Sequence, residues 1–168
     1  MQLHERPVFP RGFRCAARHC GLKESGKDLA LFVSDVEAAA AAIFTRNLFP
    51  GAPVILGRQT IAAGRLRAVV VNSRYSNVAT GPRGLDHARR MAAAAAREVG
   101  TTPDRVLVSS TGVIGVSLPI ERVEAGLAGM ARQLGPDPLV GAEAIMTTDR
   151  HPKALSLTVG NATLTWVA

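Results

Sequence analysis

Three short apolar runs along the chain predict buried β-strands. They are Leu29–Val33, Ala68–Val71 and Val106–Val108, and each is rich in aliphatic or β-branched residues. The second run is the most apolar of the three. The polar stretch Asn72–Gly84 that follows it is predicted to form a loop at the carboxyl end of a strand, where loops of α/β proteins often bind ligands.

The last part of the chain predicts a β-hairpin. Leu155–Val159 and Ala162–Val167 flank Gly160-Asn161, a pair suited to a two-residue turn. In the first of these strands the aliphatic residues alternate with Ser156 and Thr158. This period of two predicts that one face of the strand is buried.

Two longer stretches predict helices. In Leu85–Val99 apolar residues recur at helical spacing, and Gly100 follows as a stop, so this helix is expected to cover a sheet. Ile120–Leu134 is the second predicted helix. Glu121 and Glu124 lie in its first turn, where the helix dipole favours negative charge, and we interpret them as structural residues and not as an acid–base pair.

The remaining segments give weaker patterns. Met1–Pro10 is polar and contains two prolines, which indicates an extended arm, and Gly12–Lys27 has no regular period. Ala52–Leu56 is an apolar run that predicts a strand. A loop over residues 135–141 is expected to lead into a short helical segment, Ala142–Met146, which delivers the threonines that follow it to a turn.

The composition is that of a packed globule. Hydrophobic residues make up 47% of the chain and the mean hydropathy is +0.15, which argues against disorder. One domain over residues 1–168 is the simplest organisation for this length. No apolar run is long enough to cross a bilayer and the first residues lack an apolar signal core, so the sequence predicts a cytoplasmic protein.

The net charge of +7 needs a negative counterpart or a negative ligand. A nucleic-acid binder is one explanation, yet the arginines are scattered from Arg6 to Arg150 and aromatic residues make up only 4%, which leaves few stacking platforms. An acidic partner chain and substrates with carboxylates also fit, and the partner chain ranks first. We therefore predict no nucleic-acid or membrane partner, and keep a non-catalytic basic binding domain as an alternative.

The segment C-A-A-R-H-C brings Cys15, His19 and Cys20 close together in sequence. These side chains could ligate a soft metal, with His4 as a distant fourth candidate. The spacing is not that of a standard zinc knuckle, and such cysteines are more often small, partly buried side chains in a reducing compartment. We predict no metal site.

The polar residues after the third predicted strand are the best candidates for chemistry. Ser109-Ser110-Thr111-Gly112 ends the strand with turn-forming residues, and backbone N–H groups just past a strand are free to point at a ligand. Gly112 lets the main chain approach closely, and the Thr111 hydroxyl can donate beside the free amides. This combination suits an oxyanion hole. An ordinary strand-to-turn junction has the same composition.

Several motifs along the chain resemble those of the ornithine acetyltransferase family, also called glutamate N-acetyltransferases. The resemblance covers nearly the whole chain, in the family's order, and corresponds to the N-terminal portion of that family's protein. The segment S-S-T-G-V-I-G with L-P shortly after it resembles the family's S-T-G-x-I-G-x-x-L-P. The other matching motifs are Gly12-Phe13, Ala42–Asn47, Ala52-Pro53-Val54, Asn72–Gly84 and Ala144–Asp149.

The resemblance implies an α/β fold, a layered sandwich of β-sheets flanked by helices. The alanine run Ala38–Ala42 has high helix propensity, but the resemblance favours a second antiparallel strand there, continuing through Thr45 and joined to the strand before it by a turn at Ser34–Glu37. Phe44–Asn47 is then expected at a strand end, facing a pocket.

The resemblance further implies that this chain is the α part of a precursor that cleaves itself before a threonine. That threonine begins the β chain and is the nucleophile, so it lies outside these residues, with Ala168 a little before the cleavage point. Such enzymes move an acetyl group from N2-acetylornithine to glutamate through an acetyl-threonine intermediate. No cofactor is needed, and the αβ units assemble into a heterotetramer.

Carried over to this sequence, the resemblance assigns four site residues. Thr111 and Gly112 are expected to stabilise the oxyanion, and Thr147 and Thr148 of the M-T-T-D motif are expected to hold the substrate. Without the family, capping of a helix end explains those two threonines equally well.

One loop departs from the family pattern, which is closer to N-S-G-N-A-N-A-C-T-G. Here Arg74-Tyr75-Ser76 replaces the small G-N-A, and Ala79 replaces the cysteine. A bulkier, cationic loop can change the choice of substrate, so another N-acyl amino acid is an alternative substrate class. Drift on a surface loop is the other explanation.

Overall fold

The chain folds around a four-stranded mixed sheet, with a three-stranded sheet beside it. The structure is a computed structural model that describes residues 1–168. The strands are β1 (Gln2–Leu3), β2 (Phe13–Arg18), β3 (Leu29–Ala39), β4 (Arg65–Asn72), β5 (Val106–Ser110), β6 (Ala154–Val159) and β7 (Ala162–Val167), and the α-helices are α1 (Ala52–Thr60), α2 (Gly81–Val99), α3 (Ile120–Leu127) and α4 (Pro138–Ile145). Helical turns of the 3-10 type occupy Ile61–Ala63, Pro103–Arg105 and Met130–Gln133.

The larger sheet has the strand order β2-β3-β4-β5. Its first three strands are antiparallel, whereas β4 and β5 run parallel because helix α2 carries the chain back across the sheet. The carboxyl ends of β4 and β5 therefore lie side by side, with Asn72 opposite Ser110. This edge of the sheet carries the polar loops predicted from the sequence.

Helices cover both faces of the larger sheet. Alanines and Met91 on the inner face of α2 join the aliphatic residues of the strands and of α3 in one core cluster of 21 buried residues. On the opposite face a smaller cluster brings Ala144 of α4 against Ala30 and Val71. Helix α4 also contacts the hairpin β6–β7, so it lies between the two sheets. The α/β class predicted from the resemblance is confirmed.

The strongest apolar patterns were interpreted correctly. The runs at Ala68–Val71 and Val106–Val108 lie in β4 and β5, and Leu29–Val33 begins β3. Helix α2 ends at Val99, with Gly100 as the cap as expected, but it begins at Gly81, four residues before the predicted start and inside the predicted loop. Pro82 lies in its first turn, a position that tolerates proline because the missing N–H has no partner there anyway.

The turn predicted at Ser34–Glu37 and the separate strand predicted after it, over Ala38–Thr45, are wrong. Strand β3 runs through the predicted turn as far as Ala39, and its Ser34 still pairs with Phe13 of β2. A register shift between Val33 and Ala38 bends β3 without ending it. Residues 40–50 have no regular secondary structure, so the alanine-rich stretch is the end of a long strand and an extended loop.

Two further segments also differ from their predictions. Gly12–Lys27 was expected to be irregular, but Phe13–Arg18 forms an edge strand along β3. Ala52–Leu56 was expected to be a strand and begins helix α1 instead, with Pro53 in the first turn and Gly51 as the capping residue. A proline at that position favours a helix start over a strand.

The second predicted helix is shorter than expected. Helix α3 ends at Leu127, and Gly129, with a φ of +71°, turns the chain into the 3-10 segment Met130–Gln133. Helix α4 begins at Pro138, inside the predicted loop, where the Asp137 side chain accepts a hydrogen bond of 3.0 Å from Leu139 N. That side chain is a regular helix cap.

The C-terminal hairpin forms as predicted, and the buried face of its first strand is the one that carries the hydroxyl of Ser156. Ser156 is fully buried beneath the N-terminal arm. Its hydroxyl donates to Val8 O at 2.7 Å and accepts from Val8 N at 2.9 Å, so it is satisfied without water. Leu155 and Val159 are 47% and 46% exposed. Strand β1 extends the hairpin into a three-stranded sheet, and the arm that follows β1, with His4 and Val8, covers its hydroxyl-bearing side.

The aliphatic side of the hairpin remains open in this chain. Its cross-strand neighbours pair Leu155 with Trp166 and Leu157 with Leu164. We call Leu155, Leu157, Val159, Leu164 and Trp166 the apolar hairpin face. Leu164 and Trp166 are 45% and 51% exposed, so this face is large and mostly unburied.

None of the helices has the length and apolar character required to cross a membrane.

Close packing of α3 against the loop after β2 generates a test of the fold. A β-carbon at Gly126 would lie 2.5 Å from Cys20 Cβ and 3.0 Å from Leu29 Cδ2. We expect Gly126→Ala to lower the free energy of unfolding by about 1 to 2 kcal/mol, because overpacking outweighs the gain in helix propensity. Denaturant unfolding measures it. Gly135→Ala is the control, since no atom lies within 4 Å of its added methyl group, and an equal loss in both variants would contradict the packing argument.

Candidate active site

The site begins at the carboxyl ends of the parallel strands β4 and β5. Asn72 is fully buried, and its side chain accepts a 2.6 Å hydrogen bond from the Ser110 hydroxyl and donates to Tyr75 O at 2.9 Å. Its backbone carbonyl accepts from Thr111 N at 3.0 Å. One buried amide thus joins the two strand ends to the loop that follows β4.

The loops after β4 and β5 lie in direct contact. Gly112 has a φ of +132°, and a β-carbon there would lie 2.2 Å from the carbonyl carbon of Arg74, so no other residue fits without moving the main chain. Val113 N donates to Arg74 O at 2.9 Å, and Ser76 N donates to Val113 O at 3.0 Å. These bonds fix the position of the two predicted oxyanion residues.

The donors at this position differ in part from the prediction. The Thr111 N–H is not free, because it donates to Asn72 O. The Thr111 hydroxyl and the Gly112 N–H make no hydrogen bond within the chain, and both residues line a cavity. The free donors are therefore one side-chain hydroxyl and one backbone amide.

Helix α4 brings the predicted substrate threonines to the same place. The hydroxyl of Ser73, at the end of β4, donates to Ala144 O at 2.7 Å and so attaches the last turn of α4 to the strand end. The helix ends at Ile145, and Thr147 and Thr148 follow in an exposed turn. Beyond them Asp149 pairs with Lys153, which lowers the pKa of Asp149.

Lys23 is a member of the site that the sequence did not indicate. Its ammonium group donates to Met146 O at 2.7 Å and to Lys27 O at 3.1 Å, so it supports the turn that carries Thr147. Partial burial lowers the pKa of Lys23, and the negative charges of Asp28 and Glu143 act in the opposite direction. Nothing in G-L-K-E-S-G-K distinguishes this lysine from a solvated one, because its partners are main-chain carbonyls.

A buried carboxylate holds the loop that carries Lys23. Asp28 is fully buried and accepts three backbone hydrogen bonds, from Cys20 N at 2.7 Å, Leu22 N at 2.8 Å and Lys23 N at 3.0 Å. Burial by itself raises the pKa of Asp28, but these bonds outweigh it and the pKa lies below its ordinary value. The fold therefore favours the ionised form.

These segments enclose a cavity of about 470 Å³. All four residues predicted for the site lie on its wall, although they come from separate parts of the chain. The lining contains two cationic side chains and no carboxylate. Its members are Lys23, Arg74, Thr111, Gly112, Val113, Thr147 and Thr148.

Other candidates lie outside this cavity. Phe44–Asn47 was expected to face a pocket from a strand end, but the segment has no strand and does not line the cavity, and Arg58 binds Thr45 O instead. Glu121 and Glu124 pair with Arg90, at 3.1 Å and 2.6 Å, and hold α3 to α2. Their position fits the structural interpretation given above.

The cysteine and histidine residues also lie away from the cavity lining. Cys15 lies in β2, where its thiol donates to Asp137 O at 3.2 Å, and His4 contacts the Thr158 hydroxyl at 2.8 Å. Burial raises the pKa of Cys15 to about 11 and, together with the neighbouring Asp28, that of Cys20 to about 12. Both thiols therefore stay protonated at neutral pH and are poor nucleophiles.

Comparison with known proteins decides the family. A profile described as the ArgJ family matches residues 14–168, nearly the whole chain. This chain belongs to the ArgJ family. The Arginine biosynthesis bifunctional protein ArgJ of Thermotoga neapolitana is 46% identical over 146 residues, which are 86% of this chain and 37% of that protein. The Glutamate N-acetyltransferase Oat2 of Streptomyces clavuligerus is 40% identical over 164 residues, 96% of this chain and 42% of that protein.

Solved ArgJ structures share the fold. The ornithine acetyltransferase of Mycobacterium tuberculosis, solved in complex with ornithine, superposes with a TM-score of 0.93 at 38% identity, covering 99% of this chain and 93% of that chain. ArgJ of Bacillus halodurans gives a TM-score of 0.83 at 38% identity over 94% of this chain and 86% of that chain. The chain spans only 37% to 42% of the length of the ArgJ and Oat2 sequences it matches and corresponds to their N-terminal part.

Asp28 provides a test of how the Lys23 loop is held. We expect Asp28→Asn to lower the free energy of unfolding at pH 7 by about 1 to 3 kcal/mol, because an amide cannot accept all three backbone bonds. Since the folded pKa of Asp28 is depressed, its contribution is present above the ordinary value of 3.8 and is lost as the pH falls through the folded pKa.

Urea unfolding of both proteins between pH 7 and acid conditions measures the difference. The two stability curves should converge at low pH, while Glu24→Gln, a change at an exposed carboxylate of the same loop, should stay parallel to the parent protein. A difference that does not depend on pH would contradict the role assigned to the ionised Asp28.

Proposed function

We propose that this chain is the α part of an ArgJ-type enzyme that transfers an acetyl group from N2-acetylornithine to glutamate. The observation that carries the proposal is the cavity in which Thr111, Gly112, Thr147 and Thr148 meet. Free donors and two neighbouring hydroxyl-bearing residues line the same cavity, which suits acyl transfer. The ArgJ and glutamate N-acetyltransferase names of the relatives support the same reaction class.

In this proposal the first half-reaction begins at a threonine of the β chain. Its oxygen attacks the acetyl carbonyl of N2-acetylornithine, and the threonine's own amino group accepts the hydroxyl proton. The tetrahedral intermediate carries its negative charge on the former carbonyl oxygen. It collapses when the ornithine nitrogen leaves with that proton, which produces an acetyl-threonine ester and free ornithine.

The second half-reaction reverses these steps with glutamate as the acceptor. The glutamate amine attacks the ester, and the same oxyanion forms before the threonine oxygen leaves and regains a proton. The balance closes without a redox step, so the exchange requires no cofactor. The product is N-acetylglutamate, and the nucleophile is free for another cycle.

The residues of this chain bind and stabilise in both half-reactions. The Thr111 hydroxyl and the Gly112 N–H donate to the oxyanion, and the contact between Gly112 and Arg74 holds them in place before charge develops. Donors fixed in advance lower the barrier most, because the protein does not reorganise during the reaction. Thr147 and Thr148 hold the substrate through hydroxyl hydrogen bonds to its amide or carboxylate.

The proposed partner is the β chain that the self-cleaving precursor yields, and it covers the apolar hairpin face. Trp166 and Leu164 on this face are about half exposed. Neighbouring large apolar residues that are exposed together are typical of a surface that binds another protein. The relatives have more than half of their length outside the region matched by this chain, so a partner of the required size is encoded in the family. A heterotetramer of two αβ units in the cytoplasm completes the proposal.

Removing the Thr111 hydroxyl tests the oxyanion role. In the cleaved full-length enzyme we expect Thr111→Val to lower kcat by about 10²- to 10³-fold, equal to about 2.7 to 4 kcal/mol, with little change in KM. Acetyl exchange between N2-acetylornithine and glutamate measures it. Thr111→Ser keeps the hydroxyl and should retain most of the activity. Mass analysis must first show that each variant has been cleaved. Parental kcat in the cleaved valine variant would refute the role.

The proposed interface is tested at Trp166. In the full-length protein we expect Trp166→Lys to weaken the association of the two chains by at least tenfold, because a charge is expensive to bury in an apolar contact. Trp166→Phe retains an aromatic apolar surface and serves as the matched control. Size-exclusion chromatography of the cleaved protein, with the two chains identified by mass, gives the result. Unchanged co-elution of the lysine variant at low protein concentration would show that the partner binds elsewhere.

A second candidate substrate class is favoured by one observation. Arg74 adds a cation to the cavity wall at a place where small residues are usual in the family pattern quoted above. An N-acyl amino acid other than N2-acetylornithine would then be the preferred donor, with the same oxyanion donors and the same nucleophile. A panel of N-acyl amino acids offered to the purified enzyme separates the two candidates by their kcat/KM values.

A further inference from the structure

Arg74 has a backbone conformation that does not favour arginine. Its φ is +83°, in the left-handed region that side chains with a β-carbon avoid at a cost of about 1 to 2 kcal/mol. The bonds from Val113 N to Arg74 O and from the Asn72 side chain to Tyr75 O impose this conformation. Glycine would meet the same constraint without strain. A strained residue retained beside a cavity indicates a use for its side chain.

The guanidinium group of Arg74 has no partner within the chain. It takes part in no ion pair and donates no side-chain hydrogen bond, although it lines the cavity with the oxyanion donors. Lys23, the other cation of the lining, is occupied by two main-chain carbonyls. Arg74 is therefore the cation of this lining whose N–H groups are all unpaired within the chain, whereas Lys23 retains its charge but has one N–H left.

The cavity wall offers this charge nothing negative. Its other members are a lysine, three threonines, a glycine and a valine. A planar guanidinium with free N–H groups matches a carboxylate in two parallel hydrogen bonds, and such charge-assisted bonds are stronger than those between neutral groups. The unpaired guanidinium of Arg74 is therefore suited to bind an anion. Every amino-acid substrate has a carboxylate.

We propose that Arg74 is a specificity residue that binds a carboxylate of the amino-acid substrate, next to the oxyanion donors. This inference rests on the proposed function for the identity of the substrates. Glutamate has an α-carboxylate, which it shares with N2-acetylornithine, and a side-chain carboxylate, which it does not share. Binding of the former helps both half-reactions, whereas binding of the latter selects the acceptor.

Substitution of Arg74 in the full-length enzyme tests the proposal. In Arg74→Gly we expect kcat/KM to fall by about 10- to 100-fold, mainly through a higher KM, as expected for the loss of a charge-assisted hydrogen bond. The melting temperature should stay the same or rise, because glycine relieves the left-handed strain. Arg74→Lys retains the charge without the planar fork and should be intermediate.

Two control variants separate the charge from the backbone. Ala79 has a φ of +59° in the same loop, and Ala79→Gly relieves strain there without changing a charge, so its KM should equal that of the parent. Arg89 is exposed on α2 and away from the cavity lining, and Arg89→Gln removes one positive charge without touching the site. A KM increase of the same size in either control would overturn the specific role of Arg74.

Substrate amides identify the carboxylate. If Arg74 binds the α-carboxylate, the penalty of Arg74→Gly disappears when the acceptor is glutamic acid α-amide and persists with glutamine. The reverse pattern assigns the side-chain carboxylate. Equal penalties with glutamate, its α-amide and glutamine would mean that Arg74 binds neither, and the inference fails while the acetyl exchange of the parent enzyme stands.

A calorimetric titration keeps the inference testable if the proposed function fails. When the parent protein shows no acetyl exchange, N-acetylglutamate is titrated into the parent and into Arg74→Gly. Binding that weakens by at least tenfold in the variant supports a carboxylate site independent of the reaction. Equal binding, or none to the parent, overturns it.

Discussion

The contact between Gly112 and the Arg74–Tyr75 peptide is the constraint on which the site depends. Two loops from neighbouring parallel strands meet there at a distance that admits no β-carbon on one side. Arg74, on the other side of this contact, has a positive φ. The Thr111 hydroxyl and the Arg74 guanidinium are thus carried by two loops that one close approach holds together. A substitution at either loop will be felt at the other, because the main chains and not the side chains are in contact.

Buried polar groups fix the remaining irregular segments of the site. Asp28 holds the loop that carries Lys23, Asn72 joins the strand ends, and Ser73 attaches helix α4. Each of these groups replaces water with main-chain partners, so each is satisfied while buried. Loops that are anchored in this way behave like parts of the scaffold, and the donors they carry need not be ordered again when a substrate binds.

The sequence predicted the parts of this fold whose burial is decided within the chain. Strands β4 and β5 are covered on both sides, so their apolar runs were unambiguous. The short apolar run at Ala52–Leu56 is ambiguous, because strands and helix starts share that composition, and Pro53 in the first turn favours the helix. The hairpin and the burial of one of its faces were predicted, but the alternation does not say which face is buried, and here the aliphatic side is the exposed one.

Some residues of the site were predicted from the sequence and others were not. Thr111, Gly112, Thr147 and Thr148 were named through motif resemblance, and the structure brings them to one cavity. Lys23 could not be found, since its bonds to Met146 O and Lys27 O depend on how distant segments pack. The Thr111 amide was expected to be free, but it is used by Asn72. Main-chain partners leave no signature in a sequence, and this is why both details required the structure.

The chemistry of the cavity lining supports the proposal that the nucleophile comes from outside this chain. The lining supplies hydroxyls, a backbone amide and two cations, and none of its seven members is a carboxylate or an imidazole that would act as a general base. Such a surface stabilises negative charge but does not generate a nucleophile. A threonine that brings its own amino group provides what is lacking, because base and nucleophile then arrive together. The positive charge of this chain and the negative charge that develops on the substrate are thus complementary at the step where the barrier is highest.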